Sequence, residues 1–205
     1  MKLTHSLGKF AKEVARALRN FQYEMTGTGI YIPRSRILVG GVFTHRHCPV
    51  GGEWGEAVVD PNRIVTQGLI QILNSALAGQ PAITQFYLAP YTNNVEPDAS
   101  WTGANFAAVA GEFTAYTLGT RLPWTTAPAT TTPVVGNGAS VAQLTFNSGG
   151  PYNNYGIGLL EASAKGATTG KLVAATLFQV PRVGMAGGDK LAYEYTVTAK
   201  DEADV

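Results

Sequence analysis

The sequence predicts a mainly β protein: an antiparallel β-sandwich of about seven or eight strands with one internal helix and an N-terminal helical arm. Three observations carry that prediction. The segment Leu191-Ala-Tyr-Glu-Tyr-Thr-Val-Thr alternates strictly, with Leu191, Tyr193, Tyr195 and Val197 on one face and Glu194 and the threonines on the other. The 205 residues include 24 Gly and 11 Pro, and only 14% are charged, against roughly 25% in an average soluble domain. Such a chain has many turns and a polar but weakly charged surface. Helical periodicity is confined to two stretches, one near the N-terminus and one from Asn62 to Leu77.

The first of these starts at Ser6, a suitable cap, and runs from about Leu7 to Tyr23. Leu7, Phe10, Val14, Leu18 and Phe21 recur at spacings of three and four and form one stripe. Lys9, Lys12, Arg16 and Arg19 form a second, and Gly27 and Gly29 end the helix. Arg36 to Cys48 reads as a strand broken or bulged at Gly40-Gly41. A turn at Pro49 to Glu53 leads to a returning strand from Trp54 to Val59. Asp60-Pro61 then suits a helix start, with Asp as the cap and Pro in the first turn. Thr66 is the alternative cap, for a helix from Gln67 to Ala78. Gly79 is the stop in either case, and Leu69, Ile72, Leu73, Ala76 and Leu77 make the apolar face.

Ile83 to Tyr91 reads as a buried strand, and Asn93 to Gly111 as a loop with a turn of helix around Ala104 to Ala108. After Gly111 to Trp124, a Thr/Pro/Gly-rich loop from Ala127 to Gly138 precedes a half-buried strand at Val141 to Phe146. Tyr155 to Leu160 and Lys171 to Phe178 form a hairpin around the turn Ala164 to Gly170. The domain organisation that follows is an arm at 1–35, a β-sandwich at 36–200 and an acidic, frayed tail at 201–205. No internal repeat is present.

The net charge of +1 conceals an asymmetry. Residues 1–36 hold seven Lys/Arg and two Glu, a balance of +5; the remainder holds eight Lys/Arg and twelve Asp/Glu, a balance of −4. A basic amphipathic arm is thus joined to a mildly acidic body. Phe10, Val14, Leu18 and Phe21, with Lys12, Arg16 and Arg19, are expected to bind a partner: the protein's own body or a neighbouring subunit. Nucleic acid and a membrane surface are the alternatives, and neither is expected, because four cations on one helix are common on solvated faces. The single cysteine, Cys48, permits no intrachain disulfide. No run reaches the roughly 18 apolar residues of a membrane helix. The basic N-terminus lacks the apolar stretch of a secretory signal, so folding in a reducing cytoplasm is expected.

Motifs that carry chemistry are scarce. His45 and His47 share one face of a strand, but a zinc site needs three or four protein ligands. His5 and Cys48 are the only other soft ligands, so no metal is expected. There is no Gly-x-Ser-x-Gly elbow, no phosphate-binding loop ending in Lys-Ser/Thr and no His-Glu-x-x-His. Glu53, Glu56, Glu96, Asp98 and Glu112 could supply a carboxylate pair, but they lie in hairpin and loop contexts typical of solvated acids. No catalytic residue, cofactor or enzymatic activity is expected. Among the aromatics in or next to loops, Trp54 and Trp124 suit the closed ends of a sandwich core, and Trp101 is the one expected to be exposed.

Several short segments stand in a characteristic order: Asn62-Arg-Ile-Val-Thr-Gln-Gly-Leu, Phe86-Tyr-Leu, Glu112-Phe-Thr-Ala-Tyr and Thr120-Arg-Leu-Pro-Trp. Gly156-Ile-Gly-Leu-Leu, Lys165-Gly-Ala-Thr-Thr-Gly-Lys-Leu-Val-Ala-Ala, Gly188-Asp-Lys-Leu and Tyr195-Thr-Val-Thr follow. In order and spacing, over about residues 40 to 199, the chain resembles small structural proteins of tailed bacteriophages, described as head-decoration, minor-capsid or tail-fibre-associated. That resemblance implies a non-enzymatic virion protein, assembled in the host bacterial cytoplasm and expected to be a homo-oligomer. Its partners would be major capsid or tail subunits. A capsid decoration or minor head protein is the first expectation and a tail or fibre-attachment component the second. From a different class, a carbohydrate- or receptor-binding module would use Trp101 and the loop tyrosines. The family members resembled often begin near the first strand, close to Leu38, which makes residues 1–35 an addition.

Overall fold

The C-terminal alternation is realised as a long strand at the centre of one of two packed antiparallel sheets. The computed structural model describes residues 24–26, 29–31 and 37–201. In chain order the strands before the helix are β1 (Glu24–Thr26), β2 (Gly29–Tyr31), β3 (Ile37–Cys48), β4 (Val58–Pro61) and β5 (Arg63–Ile64). The helix α1 (Thr66–Leu77) is followed by β6 (Phe86–Tyr91), a π-helical turn at Ala107–Gly111, β7 (Leu122–Trp124), β8 (Val134–Gly136) and β9 (Ala142–Thr145). Three long strands close the chain: β10 (Tyr152–Leu160), β11 (Leu172–Met185) and β12 (Lys190–Asp201).

The chain divides into two compact units, Met1–Leu38 with Lys200–Val205, and Val39–Ala199. In the first, β1 and β2 pair antiparallel with Thr26 opposite Gly29. Gly29, expected to help end a helix, therefore sits in a strand. The predicted helix from Leu7 to Tyr23, with its Phe10, Val14, Leu18, Phe21, Lys12, Arg16 and Arg19, lies outside the described residues.

The second unit carries both sheets, one ordered β5-β11-β10-β6-β7 and the other β4-β3-β12-β8, with β9 also pairing along β12. Between them lies a core that takes Leu88, Ile157, Leu159 and Phe178 from the first sheet and Phe43, Leu191, Tyr193 and Tyr195 from the second. Phe43 stacks on Tyr195 with ring centroids 4.0 Å apart, and the Trp124 indole donates to the Tyr195 carbonyl at 3.0 Å. The first sheet is buried on its other face too. There Tyr91, Trp101, Phe106, Leu160 and Leu172 form a second apolar cluster. Gly156 and Gly158 allow this, because a Cβ at either would lie 2.2 Å from Tyr91 or 2.7 Å from Phe106. A strand covered on both sides reads as a continuous apolar run rather than an alternation, which is the pattern of Gly156-Ile-Gly-Leu-Leu.

Several boundaries differ from the sequence reading. β3 is unbroken through Gly40-Gly41, and Gly41 is required by proximity: a Cβ there would sit 2.6 Å from the Thr196 carbonyl. The returning strand begins at Val58 rather than Trp54, with Phe43 opposite Asp60. Asp60 does not cap the helix; its buried carboxylate accepts the Gln179 N–H at 2.7 Å. Instead Arg63–Ile64 forms a short strand on β11, and α1 starts at Thr66 with Val65 at its cap and no side-chain capping bond. Gly79 ends the helix as expected, at φ 64°. β8 emerges within the stretch read as a loop, held by pairing to Thr196–Thr198 of β12.

Candidate interaction surface

The helix α1 is amphipathic in the reverse of the usual sense. An apolar stripe on a surface helix ordinarily faces the core. Here the polar residues Gln67 and Gln71 point into the body, and the leucines point out. The Gln67 Oε1 accepts the backbone N–H of Leu172 at 2.8 Å and that of Gly103 at 2.9 Å. Gln71 is buried, takes a hydrogen bond from the Lys171 ammonium and donates to the Ser75 hydroxyl at 2.8 Å. Between the two glutamines Gly68 seats the helix against β11 so closely that a Cβ would lie 2.2 Å from the Val173 carbonyl. Polar contact of this kind suits a helix laid across backbone groups that need acceptors.

The outward face has the opposite character. Leu69, Ile70, Leu73 and Leu77 are 45%, 53%, 56% and 81% exposed. Leu69, Leu73 and Leu77 stand at i, i+4 and i+8, one ridge along the helix surface. No Asp, Glu, Lys or Arg occurs from Ile64 to Val95, so the ridge has no charge on its own element. Grooves flank it. One, of about 800 Å³, separates the C-terminal half of α1 from the β10–β11 hairpin and is lined by Asn74, Tyr87, Glu161, Ser163 and Lys171. The other, of about 710 Å³, is lined by Gln67, Ile70, Ser100, Trp101 and Lys171.

The hairpin beside the first groove is anchored by ions. The guanidinium of Arg121 meets the Glu112 carboxylate with two hydrogen bonds of 2.8 and 2.6 Å, both side chains being buried. Arg121 also donates to the carbonyls of Ala162 and Ala167, while the Gly166 N–H donates to Glu112 at 3.1 Å. Lys165 closes the same corner, its ammonium 3.6 Å from the centre of the Tyr116 ring. Glu112 is therefore a structural ion and not the solvated loop acid its sequence context suggests.

The histidines expected to share a strand face are separately engaged. His45 stacks on Phe178, and its Nδ1 accepts from the Arg182 guanidinium at 3.2 Å. Its Nε2 stands 3.3 Å from an Asp60 oxygen without forming a hydrogen bond. Burial, and after it the Arg182 charge, push the His45 imidazole down to about 3, while burial raises Asp60. Close approach alone would favour an ion pair, but with both groups out of water the neutral ring is the favoured form. His47 instead hydrogen-bonds Asp189 at 2.9 Å. Burial disfavours the Asp189 charge, but His47 and the N–H groups of Val50 and Ala186 outweigh it and hold the carboxyl below its usual range. Among the described residues no three His, Cys, Asp or Glu side chains gather as metal ligands.

Trp101, expected to be exposed, is only 7% exposed and packs edge-on against Tyr91 and Phe106. The segment following β6 folds back over the sheet and needs a large apolar side chain beneath it. Trp124 closes the core as expected, whereas Trp54 is exposed. The outward ridge of α1 was not legible as a surface. The one signal in the sequence was a helix whose polar stripe, Gln67-Gln71-Ser75, sits beside a glycine able to approach a strand. No described helix is long and apolar enough to cross a membrane. Compared with family models, characterised proteins and solved structures, the chain matches none.

Proposed function

We propose that the chain is a non-enzymatic structural protein of a bacteriophage virion, a capsid decoration or minor head protein that binds neighbouring virion subunits. In this reading the packed sheets are a β-sandwich scaffold, and residues 1–35 are an arm reaching a neighbour. The observation that carries the reading is the reversed helix: an uncharged apolar ridge turned outward on polar supports. The largest exposed apolar patch on a soluble protein, typically a few hundred Å², is often a functional surface. Leu69, Ile70 and Leu73 are about half out of water contact and Leu77 only about a fifth, so covering the rest adds roughly 1 kcal/mol or more apiece before association costs. The order of short segments along the chain supplies the virion assignment. The carbohydrate-module alternative loses its principal aromatic, since Trp101 lies within the second cluster.

Quantitative mass spectrometry of purified particles, against the major capsid protein, tests this reading. Decoration predicts a copy number at a simple fraction of the capsid count. A handful of copies would move the protein to the tail or its attachment point, and absence from particles would overturn the virion assignment.

A further inference from the structure

We propose that α1 pairs with α1 of a second copy about a two-fold axis near Leu73, so that the chain is a dimer through its outward ridge. The inference rests on the assembly reading above and names the partner for that face. Three features on the helix point to a like partner.

The first is charge. With no charged residue from Ile64 to Val95, two copies of the helix meet without repulsion. A charged partner would have to lose the hydration of its ions against Leu69, Ile70, Leu73 and Leu77, since the charged groups Glu161 and Lys171 line the grooves rather than the ridge. The second is shape. A ridge at i, i+4 and i+8 has a groove beside it, and two such helices interdigitate at about −50°. An isologous contact is self-complementary, each patch serving as both ridge and groove. With the axis at Leu73, Leu69 of one copy meets Leu77 of the other. The third is area. Exposures of about half to four-fifths leave roughly 400 Å² of apolar surface on the four side chains of each copy, the size of the largest patch on a typical monomer, which is often functional. Two copies bury roughly 800 Å² from these alone, and the helix flanks and groove lips bring the total towards the lower end, about 1,200 Å², of specific interfaces. An interface at that end of the range suits a weak, transient dimer rather than a permanent one.

Sedimentation velocity of the full chain, from about 1 μM to about 300 μM, reads this directly. The mass should rise from 21.6 kDa towards twice that value. Leu73→Glu should weaken the dimer at least tenfold, with an unchanged circular dichroism spectrum, since Leu73 is exposed. An equimolar mixture of Leu73→Glu and Leu73→Lys should restore it, because residue 73 faces itself only across the axis proposed. Val59→Glu, an exposed position on β4, should leave the dimer intact. A monomer at every concentration would overturn the pairing and leave the ridge to an unlike subunit, with the copy-number test of the virion reading unaffected. A dimer that survives Leu73→Glu, or one broken by Val59→Glu instead, would overturn it by placing the contact elsewhere.

Discussion

Replacing Arg121 by methionine should destabilise the fold by about 3–5 kcal/mol, the usual cost of removing one partner from a buried ion pair. The structure puts the change in that range for specific reasons. Arg121 and Glu112 are both out of water and joined by two charge-assisted hydrogen bonds. Methionine keeps most of the volume but leaves the Glu112 carboxylate with only the Gly166 N–H as a donor, and it strips the Ala162 and Ala167 carbonyls of theirs. For a chain of this size, about 2–4 °C per kcal/mol translates the loss into a fall in Tm of roughly 10 °C. Urea denaturation of the wild type, Arg121→Met, Glu112→Gln and the double variant forms a thermodynamic cycle. The double variant should cost no more than Arg121→Met alone, because the stranded charge has gone. Additive costs, or a loss below about 1 kcal/mol for Arg121→Met, would refute the argument that the pair is a closed, desolvated unit.

Two further outcomes follow from the same packing. Gly68→Ala should destabilise by about 1–3 kcal/mol despite the better helix propensity of alanine, because its Cβ meets the Val173 carbonyl and α1 must lift from β11; a stabilised variant in thermal melts would mean the seat is slack. Stability should also fall with acid through His45. The unfolded ring takes a proton as the pH drops through about 6.5 and the buried ring only near 3, so its contribution is complete above that interval and declines within it, by up to about 1.4 kcal/mol per pH unit. Asp60, raised by burial, acts in the opposite sense and moderates the slope. His45→Gln should flatten the pH dependence between about pH 6 and pH 4 in denaturant titrations, and an unchanged slope would remove the imidazole as its source.

Local pattern carried the elements whose environment is uniform along their length. β12 alternates because one face meets the core; Gly79 stops α1 because the chain there needs positive φ. Elements set by distant neighbours were not legible. β8 has no pattern of its own and exists through pairing to β12, and Asp60 resembles a helix cap in sequence because nothing local reveals the Gln179 N–H that claims it. Glu112 and Arg121 are nine residues apart in loops, and only folding brings them into one dry corner. Trp101 failed for the same reason, since a loop residue is exposed unless the loop is itself folded over a sheet. Leu69, Leu73 and Leu77 share a face as the periodicity indicates, while Ile70, outside that predicted face, is exposed beside them and Ile72 is half-buried; periodicity does not say which way a face turns.

That direction separates what serves folding from what is free to serve the proposed assembly. Inside, Gln67 supplies acceptors to two backbone N–H groups that an inward leucine would leave unpaired, so the polar stripe is fixed by the needs of β11 and the Gly103 turn. Outside, no contact within the described chain covers Leu73 or Leu77, and a leucine in water adds nothing to the stability of the single chain. The two stripes therefore answer to different constraints. Polar substitution on the ridge leaves the folded chain nearly as stable while removing the apolar surface available to a partner. Substitution of the inward glutamines acts on the fold first and on association only through it. A helix with this division gains from its leucines only when a second surface excludes water from them, so variants of the ridge, rather than of any buried polar group, are the direct test of the proposed assembly.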